Sequence, residues 1–350
     1  MKMIKLKLLK KIILLINVAA VTLLIFACNK SNKESNLAKS TATVATSYDY
    51  KYYNIFNISP YEIIIPKNQT ISQSLSVVVS NGNGELIVFD GGRVKDADYL
   101  MDIIKERGGK VKYWFLTHIH DDHIGALISI LNKKSLDIEI ENIYYDFANF
   151  NWYYEKMGDD AGIYYLFESA IKDYNDFLIN NNKIPTTILN YREEHALYFL
   201  AGDIYVYVLN NHFELDSDPI NNTSVAYTVG IKGVHVLILG DLGYEGGNIL
   251  FKDNFINNDI DNKVAYHNLE NSFSTNHPID ILVLSHHGQN GIDPIYYKRI
   301  KPKVVVWPTS EDIYANTHGR YYTDDTKKVL SEMDSIEYQI KSYEETAVIR

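Results

Sequence analysis

Residues 117–125 read Thr117-His118-Ile119-His120-Asp121-Asp122-His123-Ile124-Gly125 and follow directly on the apolar run from Val111 to Leu116. Three imidazoles and two carboxylates fall within six residues, and these are the donor types that zinc, iron and manganese take. His118 and His120 are two apart, so in an extended segment both side chains leave the same face and can grip one ion. Asp122 and His123 open the helical spacing that continues from Ile124 to Leu131, and they can face a second ion. Paired ions of this kind stand about 3.5–4 Å apart and activate a hydroxide between them. A merely histidine-rich surface loop would need no further ligands. Here polar donors recur at the ends of two more apolar runs: Asp241 after Val236 to Gly240, and His286 after Ile281 to Ser285.

Moving outward, β-branched alternation over 74–80 and the apolar run 85–89 flank Asn81-Gly82-Asn83-Gly84, which predicts a hairpin ending at Asp90. Leu100, Ile103 and Ile104 predict a helix over 94–107 that stops at Gly108-Gly109. The segment 144–182 is rich in Tyr, Phe and Asp and is expected to be a helical insert. Hairpins are expected at 197–209 and 223–239, a polar insertion over 244–278, strands at 280–285, 303–307 and 345–350, and a helix near 323–333. No repeat of 20–50 residues is visible. Strands followed by helices, with hairpins in both halves, imply an α/β fold of two mixed sheets covered by helices, whose strand-end loops collect the polar site residues.

THIHDDHIG resembles the HxHxDH signature of the metallo-β-lactamase superfamily, with Thr117 and Gly125 in their usual places. Asp90 in VFDGG looks like that superfamily's earlier aspartate, which orients the loop without binding metal. Asp241 in LILGDLG matches the bridging aspartate, and His286 in LSHHG matches the final histidine. The resemblance runs from about 74 to 350 and implies the four-layer αββα sandwich. It implies one ion on His118 and His120, another on Asp122, His123 and His286, and Asp241 between them. The expected GHxxG-like segment for a third histidine is missing, so either His212 or Asn222 takes that place. His287 is then a neighbour that orients a ligand or contacts substrate. Asn221-Asn222-Thr223-Ser224, the later GD and SHHG, and Asn316-Thr317-His318-Gly319 are similar to the metallo-β-lactamase domain of competence-type DNA-uptake channels and to exported phosphorylcholine esterases. Those relatives act on phosphodiesters. The implied reaction is phosphodiester hydrolysis by a two-metal-activated hydroxide, with Asp122 in the catalytic centre and His318 binding phosphate or protonating the leaving oxygen. Two divalent ions are expected, zinc first and manganese second.

The amino terminus reads as an address. Residues 2–11 are lysine-rich, residues 12–26 are almost wholly apolar, and Ala27-Cys28 follow, as in a secretory signal. A stretch of fifteen residues is short for a membrane span. Ile25-Phe26-Ala27-Cys28 resembles a bacterial lipobox, which implies cleavage after 27 and a lipid on Cys28, the one cysteine of the chain. Residues 28–47 read as a flexible tether, and 48–350 as the catalytic domain. The expected location is therefore the cell envelope, outside the cytoplasm and anchored to membrane by lipid.

The 350 residues carry a net charge of −10. Five of the 34 basic residues lie in the first 27 positions, so the rest holds 29 basic against 44 acidic residues, or −15. Such a body repels polyanions, which disfavours long nucleic acid and favours small-molecule, lipid or envelope phosphodiesters. Two rivals stand beside this reading. One is a carboxylic-ester, lactone or β-lactam hydrolase on the same metals. The other is a non-catalytic surface binder that uses some of the 28 tyrosines for choline-like or sugar ligands.

Overall fold

The computed structural model describes residues 49–190, 198–255 and 279–350. The signal, Cys28 and the tether lie outside the described residues, as does the second part of the polar insertion, 256–278. In chain order the strands are β1 (Tyr50–Tyr53), β2 (Glu62–Ile65), β3 (Ser76–Ser80), β4 (Glu85–Asp90), β5 (Lys110–Phe115), β6 (Glu139–Ile140), β7 (Asn142–Tyr145), β8 (Thr187–Asn190), β9 (Tyr198–Ala201), β10 (Ile204–Val208), β11 (Tyr227–Ile231), β12 (Val234–Ile238), β13 (Ile281–Val283), β14 (Val304–Trp307), β15 (Tyr338–Lys341) and β16 (Thr346–Ile349). They form two mixed sheets. One runs β1-β16-β2-β3-β4-β5-β7-β8 with β6 beside β5, and the other runs β15-β14-β13-β12-β11-β10-β9.

Side-chain alternation decides which face of each sheet meets what. Ile63, Val77, Val79, Ile87, Phe89 and Phe115 of the first sheet meet Val206, Tyr227, Val229, Val236, Ile238 and Val306 of the second in one buried cluster. The opposite face of the first sheet, with Val78, Val88 and Trp114, is covered by the helices Ala97–Glu106, Asp121–Lys133 and Gly162–Asn180. The outer face of the second sheet, with Leu237, Leu282 and Val305, packs under Leu250, Phe251, Tyr296, Tyr297 and Leu330 from the helices there. The result is the expected four-layer αββα sandwich.

The segment 144–182 is part of these layers. It begins with the end of β7, continues through the helices Phe150–Met157 and Gly162–Asn180, and the second helix buries Phe167, Ala170, Ile171, Tyr174 and Leu178 on the first sheet's helical side. The spacing of those five residues is the stripe of a helix lying on a sheet.

Four strand ends converge. Phe89 pairs with Phe115 in the parallel ladder of β4 and β5, so Asp90 and Thr117 emerge side by side. Ile238 pairs with Val283 in the parallel ladder of β12 and β13, so Asp241 and the histidines after Ser285 emerge together on the other sheet. The two sheets are tied at this edge. Val225 donates its N–H to the Thr117 carbonyl at 2.9 Å, and the Tyr227 hydroxyl donates to the Leu116 carbonyl at 2.6 Å. Gly240 has φ +56, and a Cβ there would stand 2.7 Å from Thr117 Cβ, so only glycine lets the two loops meet.

Candidate metal centre

Asp90 organises the first half of the site. It is fully buried and takes φ +52, which brings its carboxylate back over the next strand. Its Oδ1 accepts the Thr117 N–H at 2.8 Å, and its Oδ2 accepts the Thr117 hydroxyl at 2.8 Å. The same Oδ2 lies 2.8 Å from His123 Nδ1. A carboxylate at Nδ1 fixes the ring and leaves Nε2 as the atom that faces the site. Both carboxylate oxygens of Asp90 are thus taken by Thr117 and His123.

His118 is fully buried, with Nδ1 3.1 Å from the Thr117 hydroxyl and Nε2 2.8 Å from His120 Nδ1. His120 is extended at φ −63 and ψ 152 and serves as N-cap of the helix Asp121–Lys133. That helix starts inside the motif, earlier than its apolar spacing suggests, because the carboxylates of Asp121 and Asp122 suit its positive end. A residue not singled out from the sequence, Arg93, holds this turn. Its guanidinium donates to Asp121 Oδ2 at 2.6 Å, to Asp122 Oδ2 at 3.2 Å and to the Gln73 carbonyl at 2.9 Å.

Asp241, anchored by its N–H to Ser224 Oγ at 2.9 Å, projects from the second sheet into the centre. Its Oδ1 stands 3.1 Å from His123 Nε2, and its Oδ2 stands 3.3 Å from His287 Nε2. Asp122 Oδ2 is also 3.3 Å from His287 Nε2. Ligand-type atoms therefore converge in two buried triples that share one imidazole: His118, His123 and Asp241, and Asp122, His123 and His287.

The structure separates the two adjacent histidines. His286 (φ 47, ψ 48) and His287 (φ 58, ψ 15) both lie in the left-handed region, a conformation that costs non-glycine residues energy and persists only where surroundings impose it. Gly288 continues the turn at φ +77 against the Trp307 ring. The twist turns His287 inward, with Nδ1 on the Pro308 carbonyl at 2.6 Å. His286 is left at the rim, its Nε2 3.9 Å from Asp241 Oδ2 and its Nδ1 3.8 Å from Asp218 Oδ2. The sequence reading put His286 in the second ion's shell and His287 beside it; in the structure it is His287 that joins Asp122 and His123.

The remaining candidates lie outside both triples. Asn222 is fully buried, and its Oδ1 accepts the N–H groups of Gly243 and Gly246 at 2.9 and 3.0 Å while its amide donates to the Ser217 carbonyl at 2.7 Å. With both lone pairs of Oδ1 engaged, Asn222 clamps the loop after Asp241 and has nothing left for an ion, which corrects that alternative. His212 donates its backbone N–H to Asp146 Oδ2 at 3.1 Å, its Nδ1 lies 2.9 Å from Asp146 Oδ1, and its Nε2 lies 3.5 Å from Glu214 Oε1. Asp146 is a buried partner that no sequence pattern pointed to. His318 sits on an exposed loop, and among the described residues it makes no hydrogen bond or ion pair with the centre. That loop touches the site's surroundings through Tyr322, whose N–H reaches Asn290 Oδ1 at 3.3 Å.

A divalent cation fits this donor set. His123 Nε2 and His287 Nε2 are buried and make no hydrogen bond, although carboxylates stand close to both. Burying unspent polar atoms is costly, and ligation would use them. The electrostatics agree. Burial would push His287 down, but Asp241 and Asp122 outweigh it and hold its pKa up to about 9. Burial likewise opposes charge on His123, and Asp241 and Asp90 raise it well above the usual imidazole value. At His118 burial, with repulsion from His123, outweighs Asp241 and lowers it. Without an ion, then, His123 and His287 hold protons that ligation must displace. For His287 this proton-held pairing is complete below about pH 6.5, the free imidazole value, and fades as pH climbs through about 9, and His123 is shifted in the same direction. Zinc affinity is accordingly expected to rise with pH from 6 to 9, with proton release visible as buffer-dependent binding heats in titration calorimetry. A flat affinity across that range would contradict the assignment.

The family profile of the Metallo-beta-lactamase superfamily matches residues 70–291, and the chain belongs to that superfamily. Members are mostly metal-dependent hydrolases that hold divalent metals, typically two. Among solved structures, the metallo-beta-lactamase fold protein YhfI from Bacillus subtilis is similar at 12% identity and TM-score 0.44, covering 80% of this chain and 95% of that one. Yeast PDE1 is similar at 11% identity and TM-score 0.45, covering 83% and 97%. The short form of human tRNase Z is similar at 14% identity and TM-score 0.38, covering 70% and 91%. Comparison with curated protein sequences finds no match.

Proposed function

We propose that the chain is an exported, lipid-anchored, metal-dependent phosphodiesterase of the cell envelope. The observation that carries the hydrolase reading is the buried convergence of His118, His123 and Asp241 with Asp122 and His287, with two imidazole nitrogens unspent. His118 and His120 would hold one ion, with His212 as the third ligand on the strength of its Asp146-fixed ring. Asp122, His123 and His287 would hold the other, and Asp241 would stand between them. Bound there, divalent ions would supply Lewis acidity that brings the pKa of water near neutral and offsets phosphoryl charge, zinc being the first expectation and manganese the second. The chain's own residues set the stage. Asp90 keeps His123 in one tautomer, Arg93 holds the Asp121–Asp122 turn, and the twist at His286 aims His287 inward. Phosphodiesters are favoured over carbonyl substrates by the order of Asn221–Ser224, the Gly240-Asp241 pair and Ser285–Gly288, which resembles the phosphodiester-cleaving branch. The −15 charge outside the first 27 residues favours small, lipid or envelope diesters over long nucleic acid.

The test is metal content together with turnover of bis-p-nitrophenyl phosphate, beside the double substitution Asp122→Ala, His123→Ala. Two transition-metal ions per chain and turnover abolished in the double variant are expected. Two ions with lactone or nitrocefin opening but no phosphodiester cleavage would move the reading to a carbonyl hydrolase. Failure to bind metal on reconstitution would leave a binding module.

A further inference from the structure

Beside the metal centre runs an open groove of about 880 Å³ formed by the loop after β2, the turn at Arg93 and Lys95, and the start of the helix at Asp121. Its charges are uneven. Arg93 and Asp121 neutralise each other across 2.6 Å. Lys67 and Lys95 also line the groove, both are exposed, and among the described residues neither ammonium group has an ion-pair or hydrogen-bond partner. The groove is also preformed. Asp96 accepts the N–H of Gln69 at 2.7 Å and that of Arg93 at 2.8 Å, which ties its two walls together. Asn68 pins the loop from beneath through the carbonyls of Ser72 and Thr309 at 3.2 and 2.9 Å. The groove adjoins the centre through Arg93, which lines it and donates to Asp122 Oδ2 of the second triple at 3.2 Å. Ile71, 95% exposed at the loop tip, adds an apolar rim.

We infer that this groove is a subsite for a second phosphate, so that the substrate is a phosphodiester bearing another phosphate group beyond the scissile one. The catalytic half of this statement rests on the proposed function, whereas the binding half does not. Two measurements keep them apart. Inorganic pyrophosphate is titrated into the metal-stripped full chain at low salt, with Lys67→Glu, Lys95→Glu as the variant. Measurable binding that weakens with added salt, and that falls roughly 10-fold or more in the variant, is expected. Equal affinity in parent and variant, or no binding to the parent, would overturn the subsite. In parallel, kcat/KM is compared for bis-p-nitrophenyl phosphate and for a p-nitrophenyl diester carrying a terminal phosphate. The variant is expected to lose at least about 10-fold more on the second substrate, through KM rather than kcat; equal losses on both would count against the subsite. Should neither diester be turned over, the phosphodiesterase reading falls while the pyrophosphate titration still decides the groove.

Discussion

The substitution His287→Ala is expected to lower kcat/KM by about 10³-fold, or roughly 4 kcal/mol of transition-state stabilisation, and to reduce bound metal from two ions to one. The same change at the preceding residue, His286→Ala, is expected to cost about 10-fold or less and to leave both ions in place. The asymmetry follows from the turn that carries them. His287 Nε2 stands 3.3 Å from both Asp122 and Asp241 and is the buried group that bridges them, Arg93 and His123 each meeting only one of the two. Removing the ring therefore deletes a donor and the one positive group placed between two like charges in a low-dielectric pocket. His286 lies farther out, 3.8 Å from Asp218 and 3.9 Å from Asp241. Activity and inductively coupled plasma metal analysis on the two single variants separate the roles. Equal losses, or a larger loss at His286, would show that the inward ring has been assigned to the wrong residue.

That pair also marks where sequence reading stops. The nest of donors at 118–123 is legible because its six residues are local and their types are dictated by ligand chemistry. Asp241 is legible because it ends an apolar strand, and the place of the histidine pair after β13 is legible for the same reason. Which member of the pair points inward is not. It depends on two consecutive left-handed residues that have side chains and therefore carry no glycine signal. Asn222 is similar. As a sequence it is a polar residue at the spacing of a ligand, while its partners are backbone N–H groups 21 and 24 positions later. Arg93 reaches Asp122 across 29 positions and Asp146 reaches His212 across 66, separations over which no periodicity speaks. Among the elements, the hairpins and the helix stripes were readable from alternation and from i, i+3, i+4 spacing. Strand β15, Tyr-Gln-Ile-Lys, buries only Ile340 fully and so lacks the alternation that would have announced it. Strand β1 exists through parallel pairing with β16 at the far end of the chain.

Asp90→Asn is expected to be the second most damaging change, although it preserves shape and tolerates the positive φ, which asparagine adopts readily. The native carboxylate accepts from the Thr117 N–H, from the Thr117 hydroxyl and from His123 Nδ1. An amide keeps one acceptor oxygen, which the Thr117 N–H can retain, and presents N–H donors on the other side. The Thr117 hydroxyl can rotate to accept, but His123 can accept only by moving its proton from Nδ1 to Nε2. His123 belongs to both triples and its Nε2 is the atom 3.1 Å from Asp241, so the tautomer that satisfies the new amide removes a central ligand atom. A buried aspartate that sets a catalytic histidine's tautomer has been worth up to about 10⁴-fold in kcat, and partners that orient metal-bound histidines about 10- to 100-fold in affinity. A loss of roughly 10²–10⁴-fold in kcat/KM is therefore expected, with metal affinity down about 10- to 100-fold. The melting temperature of the metal-free chain should move far less than either, because the packing around Trp114 and Phe89 is untouched. Nitrogen-15 chemical shifts of His123 would report the tautomer directly. Unchanged tautomer, affinity and turnover in this variant would mean that Asp90 only supports the loop, and that the orientation of His123 is set by Asp241 from the other sheet.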